Sequence, residues 1–229
     1  MPAFSDPSDA DRAVQWPLPP GAGTEATAPG RRLRLGVMAS GNGSNFEALV
    51  QASSSPLLPA QVVCLVVNNP GCGAKARAER LKIAVTCLDH RRFASRDNLD
   101  GALIDHFQAA AVDLVVMAGW MRIVTSRLIS AYPERLVNIH PSLLPSFRGV
   151  DAVGQALAAG VSLSGCTAHL VSEEVDSGRI LVQAAVPVLA SDSHDALARR
   201  IQAQEHRILP LAVHLAAARL GLLHGQPQV

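Results

Sequence analysis

Aromatic rings are scarce in this chain: one tyrosine and two tryptophans in 229 residues. A surface that stacks nucleic-acid bases needs more of them. No sign of charge dominates either. The 20 basic and 19 acidic residues leave a formal net charge of +1, too little to draw in a phosphate backbone or an anionic membrane surface. The four cysteines, Cys64, Cys72, Cys87 and Cys166, form no CxxC pair and share no metal-ligand spacing with histidine. No metal is therefore expected. Cys64 sits in an apolar run and reads as a small buried hydrophobe; reduced thiols in a cytoplasmic compartment are expected. No apolar run reaches bilayer-spanning length, and the N-terminus lacks the charged-then-apolar order of a secretory signal. Small-molecule substrates remain as the partners, with no nucleic acid and no membrane, on a monomer or a homodimer.

What is present is a hydrophobic fraction of 48% against 17% charged residues, the balance of a globular fold. Residues 1–31 are rich in Pro, Ala, Gly and Asp, as in Trp16-Pro17-Leu18-Pro19-Pro20-Gly21. They show no period of 2 or 3.6 and read as a disordered leader. Residues 32–229 read as a single domain. Strands are expected at 33–39, 61–67, 83–87, 113–118 and 136–139, and helices at 45–52, 74–81, 96–110, 126–132 and 152–159. The early strands are apolar on both faces, as a parallel sheet covered by helices requires. After Gly160, two strand-like runs at 165–171 and 179–188 flank a polar stretch ending in Gly178, the pattern of a hairpin with a long loop. A last helix spans about 193–222, capped by Asp192 or Ser193, with Pro210 expected to kink or break it. The fold class is therefore α/β: an open, mostly parallel, doubly wound sheet of Rossmann type, with a late antiparallel hairpin and a long C-terminal helix.

Three segments carry chemistry. Ser40-Gly41-Asn42-Gly43-Ser44-Asn45 follows the first strand and opens the first helix. Its glycines let a ligand approach the backbone, and the helix N-terminus offers free N–H groups to a phosphate. The spacing is neither the dinucleotide fingerprint nor the Walker loop, and a plain Gly-rich turn is the competing reading. Second, Asn138 and His140 alternate with apolar neighbours at the end of a strand, so both point to one face. Strand C-terminal ends are where open α/β sheets bind ligands, and Pro141 forces the chain out of the sheet. Third, Asp176 lies in the polar hairpin loop. Alone it is one acidic residue in a turn; it gains weight as a partner for His140.

These groups suit acyl transfer. An amine attacking a formyl carbon builds a tetrahedral centre with a negative oxygen, to which an Asn amide and a His N–H can donate. No Ser or Cys has an adjacent base, so direct transfer is preferred over a covalent acyl-enzyme.

Taken together, the residues from about 33 to 222 resemble the glycinamide ribonucleotide formyltransferase family of purine biosynthesis. The resemblance is carried by Ser40 to Asn45, by Met117-Ala118-Gly119-Trp120-Met121-Arg122-Ile123 and by Asn138-Ile139-His140-Pro141-Ser142-Leu143-Leu144-Pro145. It extends to Asp176-Ser177-Gly178 and Gln202-Ala203-Gln204-Glu205-His206. It implies 10-formyltetrahydrofolate as co-substrate and no metal. It implies that Gly43, Ser44 and Asn45 hold the ribonucleotide phosphate, with Glu205 and Gln202 by its ribose or glycinamide end. Met121, Arg122, Ile123 and Val124 should line the folate pocket, largely through backbone groups, with Asn138 at its inner end. Arg96 matches a basic position that contacts substrate or folate tail. Asn138, His140 and Asp176 match the family's catalytic trio: the first two stabilise the oxyanion, and Asp176 keeps His140 protonated and helps move the amine proton through water.

Two positions depart from the pattern. Arg148 stands where many relatives carry Pro, and Asp151 where many carry His; Asp151 can cap the following helix. Formyltetrahydrofolate deformylase shares the scaffold but carries a regulatory domain ahead of it, which a Pro-rich leader does not supply. Methionyl-tRNA formyltransferase needs a C-terminal nucleic-acid-binding domain and a basic surface. A non-catalytic phosphosugar-binding module would need only the glycine loop, and the trio weighs against it.

Overall fold

The computed structural model describes residues 14–17, 31–54 and 58–223. Among these residues, eight strands form one sheet in the order β1-β8-β7-β6-β5-β2-β3-β4. They are β1 (Val14–Trp16), β2 (Leu33–Ala39), β3 (Ala60–Val67), β4 (Val85–Cys87), β5 (Leu114–Met117), β6 (Leu136–His140), β7 (Leu163–Leu170) and β8 (Ile180–Pro187). The run from β4 to β6 is parallel, and β7 and β8 continue it antiparallel. Among the described residues, six α-helices accompany the sheet: α1 (Ser44–Ala52), α2 (Ala74–Arg80), α3 (Arg96–Ala109), α4 (Ser126–Ala131), α5 (Ala152–Ala159) and α6 (His194–Arg219).

Alternation along the central strands sorts their side chains into two cores. Leu35, Val37, Leu65, Val67, Leu114, Val116, Val137 and Ile139 join one cluster, to which α1 contributes Phe46 and Leu49 and α6 contributes Leu197, Ile201 and Ile208. Met38, Cys64, Val66, Val115, Met117 and Leu136 join the other, with Leu99, Leu103 and Phe107 of α3 and Leu128 of α4. Both faces are thus covered, which is why these strands read as continuous apolar runs.

Two expectations need correction. Of the kink or break expected at Pro210, the break does not occur: α6 runs unbroken through it. A proline inside a helix costs about 3 kcal/mol. The residues flanking it, Ile208, Leu209, Leu211, Ala212 and Val213, are all buried, and full burial of each large one contributes about 1.5–3 kcal/mol. Packing on both sides of the proline therefore outweighs its cost. The other correction concerns the leader: Val14–Trp16 pairs antiparallel with β8 as an edge strand. The rest of segment 1–31, apart from residues 17 and 31, lies outside the described residues. Ser193, not Asp192, caps α6, its side chain accepting the Ala196 N–H at 3.2 Å. Asp192 instead receives Arg200 at 2.7 and 2.9 Å.

Candidate active site

The chain leaves β2 for β3 on one side and returns to β5 on the other, so β2 marks the point where strand order reverses. A crevice opens there at the strand C-termini, where such sheets bind ligands. It is a cavity of about 560 Å³, lined by the β2–α1 loop, segment 117–124, the end of β6, loops 149–153 and 171–176, and residues of α6.

One wall is the glycine loop. Gly43 sits at φ 79°, and a Cβ there would lie 2.7 Å from the Ala74 Cβ, so only glycine permits this turn against α2. No side chain caps α1, which leaves its first N–H groups facing the cavity for an anion. Arg77 of α2 holds the loop from behind, donating to the Asn42 carbonyl at 2.8 Å and to its side-chain oxygen at 3.1 Å. It also pairs with Glu47.

Asn45 and Glu205 meet across this wall: the Asn45 amide donates to the carboxylate at 2.8 Å. Both are buried, and the Asn45 side-chain oxygen has no partner among the described residues. Burial raises the Glu205 carboxyl above its ordinary value, and the Asn45 hydrogen bond opposes that rise. Gln202, one turn earlier on α6, is exposed and lines the same cavity.

The opposite wall is built on β6 and β7. Their antiparallel register sets Asn138 opposite His169 and His140 opposite Thr167. All four point to the face that carries Leu136, where α3 and α4 no longer cover the sheet. His140 is 6% exposed. Its Nε2 donates to the Phe147 carbonyl at 2.8 Å, and its Nδ1 lies 3.3 Å from Asp176 Oδ2. The Gly149 N–H donates to the same carboxylate oxygen at 2.9 Å. Burial acts to raise the Asp176 carboxyl. The nearby imidazoles of His169 and His140 and the Gly149 N–H outweigh it and hold the group below its ordinary value.

His169 was not singled out from the sequence, yet it joins the trio. Its Nδ1 donates to the Leu170 carbonyl at 2.9 Å, which in the neutral ring leaves Nε2 to accept the Asn138 amide at 3.1 Å. The same Nε2 lies 3.6 Å from Asp176 Oδ1. A histidine within a strand gives no sign of this by itself; only the pairing register does.

The loop after β6 is backbone-strained. Phe147, Gly149 and Asp151 have φ of 55°, 78° and 55°, and such residues cluster at functional sites. Asp151 caps α5 through the Gly154 N–H at 3.1 Å and takes His194 Nε2 at 2.9 Å. Arg148 turns away to Glu174 at 2.8 Å.

Met121, Arg122, Ile123 and Val124, expected as the folate-facing residues, line the cavity. Arg96 does not: it is exposed in the first turn of α3, outside the cavity lining. Among the described residues, no group of three or more His, Cys, Asp or Glu is placed to hold a metal ion, and no helix is long and apolar enough to cross a membrane. All four cysteines are unpaired, and burial pushes the Cys64 thiol up to about 11, far from a reactive thiolate.

Comparison with known proteins matches residues 33–213 to the family described as formyl transferase. A trifunctional purine biosynthetic protein adenosine-3 of Drosophila melanogaster is 42% identical over 213 residues, 92% of this chain and 16% of that protein. The phosphoribosylglycinamide formyltransferase of Haemophilus influenzae is 35% identical over 180 residues, 79% of this chain and 85% of that one. The crystal structure of glycinamide ribonucleotide transformylase 1 from Symbiobacterium toebii superposes with a TM-score of 0.80 at 42% identity, covering 82% of this chain and 89% of that one. The chain spans less than a fifth of the length of the trifunctional relatives.

Proposed function

The chain belongs to the formyl transferase family, and from that membership we propose that it transfers the formyl group of 10-formyltetrahydrofolate to the amine of glycinamide ribonucleotide. The products are formylglycinamide ribonucleotide and tetrahydrofolate. The observation that carries the reading is the meeting of Asn138, His140 and Asp176 in one cavity whose far wall is an uncapped helix N-terminus.

In this reading the phosphate rests on the N–H groups at Gly43, Ser44 and Asn45. Glu205 and Gln202 bracket the ribose or glycinamide end, and segment 121–124 takes the pterin by its backbone. The substrate nitrogen attacks the formyl carbon, forming a C–N bond and a tetrahedral centre. The negative oxygen is met by the Asn138 amide and a His140 N–H, preorganised donors of the kind worth on the order of 10²–10³ in rate each. Both His140 nitrogens already face acceptors, Phe147 O and Asp176, so the oxyanion must share or displace the Phe147 contact. Collapse breaks the bond to the folate N10, and the amine proton reaches that nitrogen with Asp176 assisting through water. Arg96, outside the cavity lining, has no part in the chemical step; its place is at the folate tail. A single domain from about residue 32 carries the activity, with no metal, as a monomer or homodimer in the cytoplasm; the unpaired cysteines suit that compartment.

The test mixes purified protein with 10-formyltetrahydrofolate and follows deformylated folate by absorbance, with and without glycinamide ribonucleotide. Release only when the ribonucleotide is present supports the transferase. Release without it makes the protein a deformylase, and none in either case points to a binding module or a different formyl acceptor.

A further inference from the structure

Segment 118–125 between β5 and α4 has no regular secondary structure, yet in the proposed function it presents its main chain to the folate. Its middle cannot fix itself. Met121 is 71% exposed and Ile123 52% exposed, so neither side chain ties the segment to a core. Trp120 and Val124 are buried. The ends are held differently. At the start, the Met121 N–H donates to the Ser40 hydroxyl at 2.8 Å, and Ser40 is itself fixed by its N–H on the Gly119 carbonyl at 3.0 Å. At the far end, the Thr125 N–H donates to Asp100 Oδ2 at 2.6 Å.

Asp100 is 1% exposed in the middle of α3. A carboxylate that deep is costly unless something specific needs it. Thr125 is the N-cap of α4, and its N–H is one of the orphan donors of a helix start. A capping-box Glu or Gln at the third helical position would normally satisfy it. Here that position is Leu128, buried in the core, so the acceptor comes from another helix. The charged acceptor makes the stronger kind of hydrogen bond.

We propose that Ser40 and Asp100 are positioning residues that clamp segment 121–124 at both ends and so set the main-chain donors and acceptors that recognise the flat ring of the folate. The inference rests on the reading of that segment as the folate-facing wall. It predicts an asymmetric effect: loosening either end weakens folate recognition and leaves the ribonucleotide wall, built on α1 and α6, in place.

The experiment compares wild type with Ser40→Ala, Ser40→Thr and Asp100→Asn in two ways. Steady-state kinetics gives KM for each substrate separately from kcat, and hydrogen exchange reads the 119–125 amides without ligand. Loss of the charged acceptor should raise folate KM about tenfold and loss of the hydroxyl about threefold. Ribonucleotide KM should move less than about twofold, exchange at Met121 or Thr125 should quicken, and Ser40→Thr should restore folate KM. Unchanged folate KM in Ser40→Ala and Asp100→Asn overturns the clamp. So does a parallel rise in both KM values, which would mark a general structural role. Should Asp100→Asn fail to fold, Ser40→Ala decides alone. A wild type that transfers no formyl group would sink the functional reading instead, and the exchange data would still judge the clamp: unaltered protection overturns it.

Discussion

His169 and Asp176 approach to 3.6 Å between Nε2 and Oδ1, while the other oxygen of the same carboxylate faces His140. Strand β7 therefore contributes a side chain that touches both Asn138 and Asp176 without lying in any motif. Its effect should be on the placement of its neighbours. His169→Ala should lower kcat by about 10- to 100-fold, the scale of a misplaced catalytic group, with KM for either substrate little altered. A variant that turns over at the wild-type rate would remove His169 from the site.

The trio itself should act mainly on the transition state. His140→Ala and Asp176→Asn are each expected to reduce kcat by on the order of 10²–10³. Ribonucleotide affinity, measured by calorimetry, should stay near that of the wild type. Near-normal turnover in either purified variant contradicts the assignment.

Asn45 should matter twice. Its amide donates to the buried carboxylate of Glu205, so Asn45→Ala removes that hydrogen bond and should destabilise the fold by about 1–3 kcal/mol. It should also weaken ribonucleotide binding more than folate binding. Equal losses for the two ligands would refute the placement of the phosphate end at this wall.

Glu205 gives a pH signature. Its folded-state value is raised by burial, against the pull of Asn45. A raised acid contributes stability that is full below its unfolded value and is lost as pH climbs through the folded one. Wild type should therefore compare best with Glu205→Gln in acid, below about the ordinary value of 4.5, and lose ground as pH rises beyond it. Urea midpoints from acid to neutral pH would show this; a difference that does not change with pH would mean the carboxyl is not perturbed.

Much of this was legible in the chain. Strand 33–39 and helix 152–159 fall where the pattern puts them, because a mostly apolar run in the first and the capping Asp151 in the second mark them locally. Asn138 and His140 were legible because strand alternation is local. Three features were not. His169 depends on cross-strand register, which no local pattern contains. The edge strand at Val14–Trp16 depends on free hydrogen-bonding groups along β8, not on any period of its own. The continuity of α6 through Pro210 depends on burial supplied by the sheet. Arg96 is a motif position carried over by resemblance; the structure places it outside the cavity lining, and its contact with the folate tail stands as a proposal.

The pairing of Asn138 with His169 and of His140 with Thr167 bears on how the protein can drift over evolutionary time. A slip of one residue between these strands would turn those polar side chains into the core and drive Val137, Ile139 and Ala168 out of it. Catalytic geometry is thereby tied to solubility. A misregistered molecule would aggregate or be degraded before it could persist as a folded, inactive one, so insertions within β6 or β7 should be purged by quality control before they are ever tested for activity.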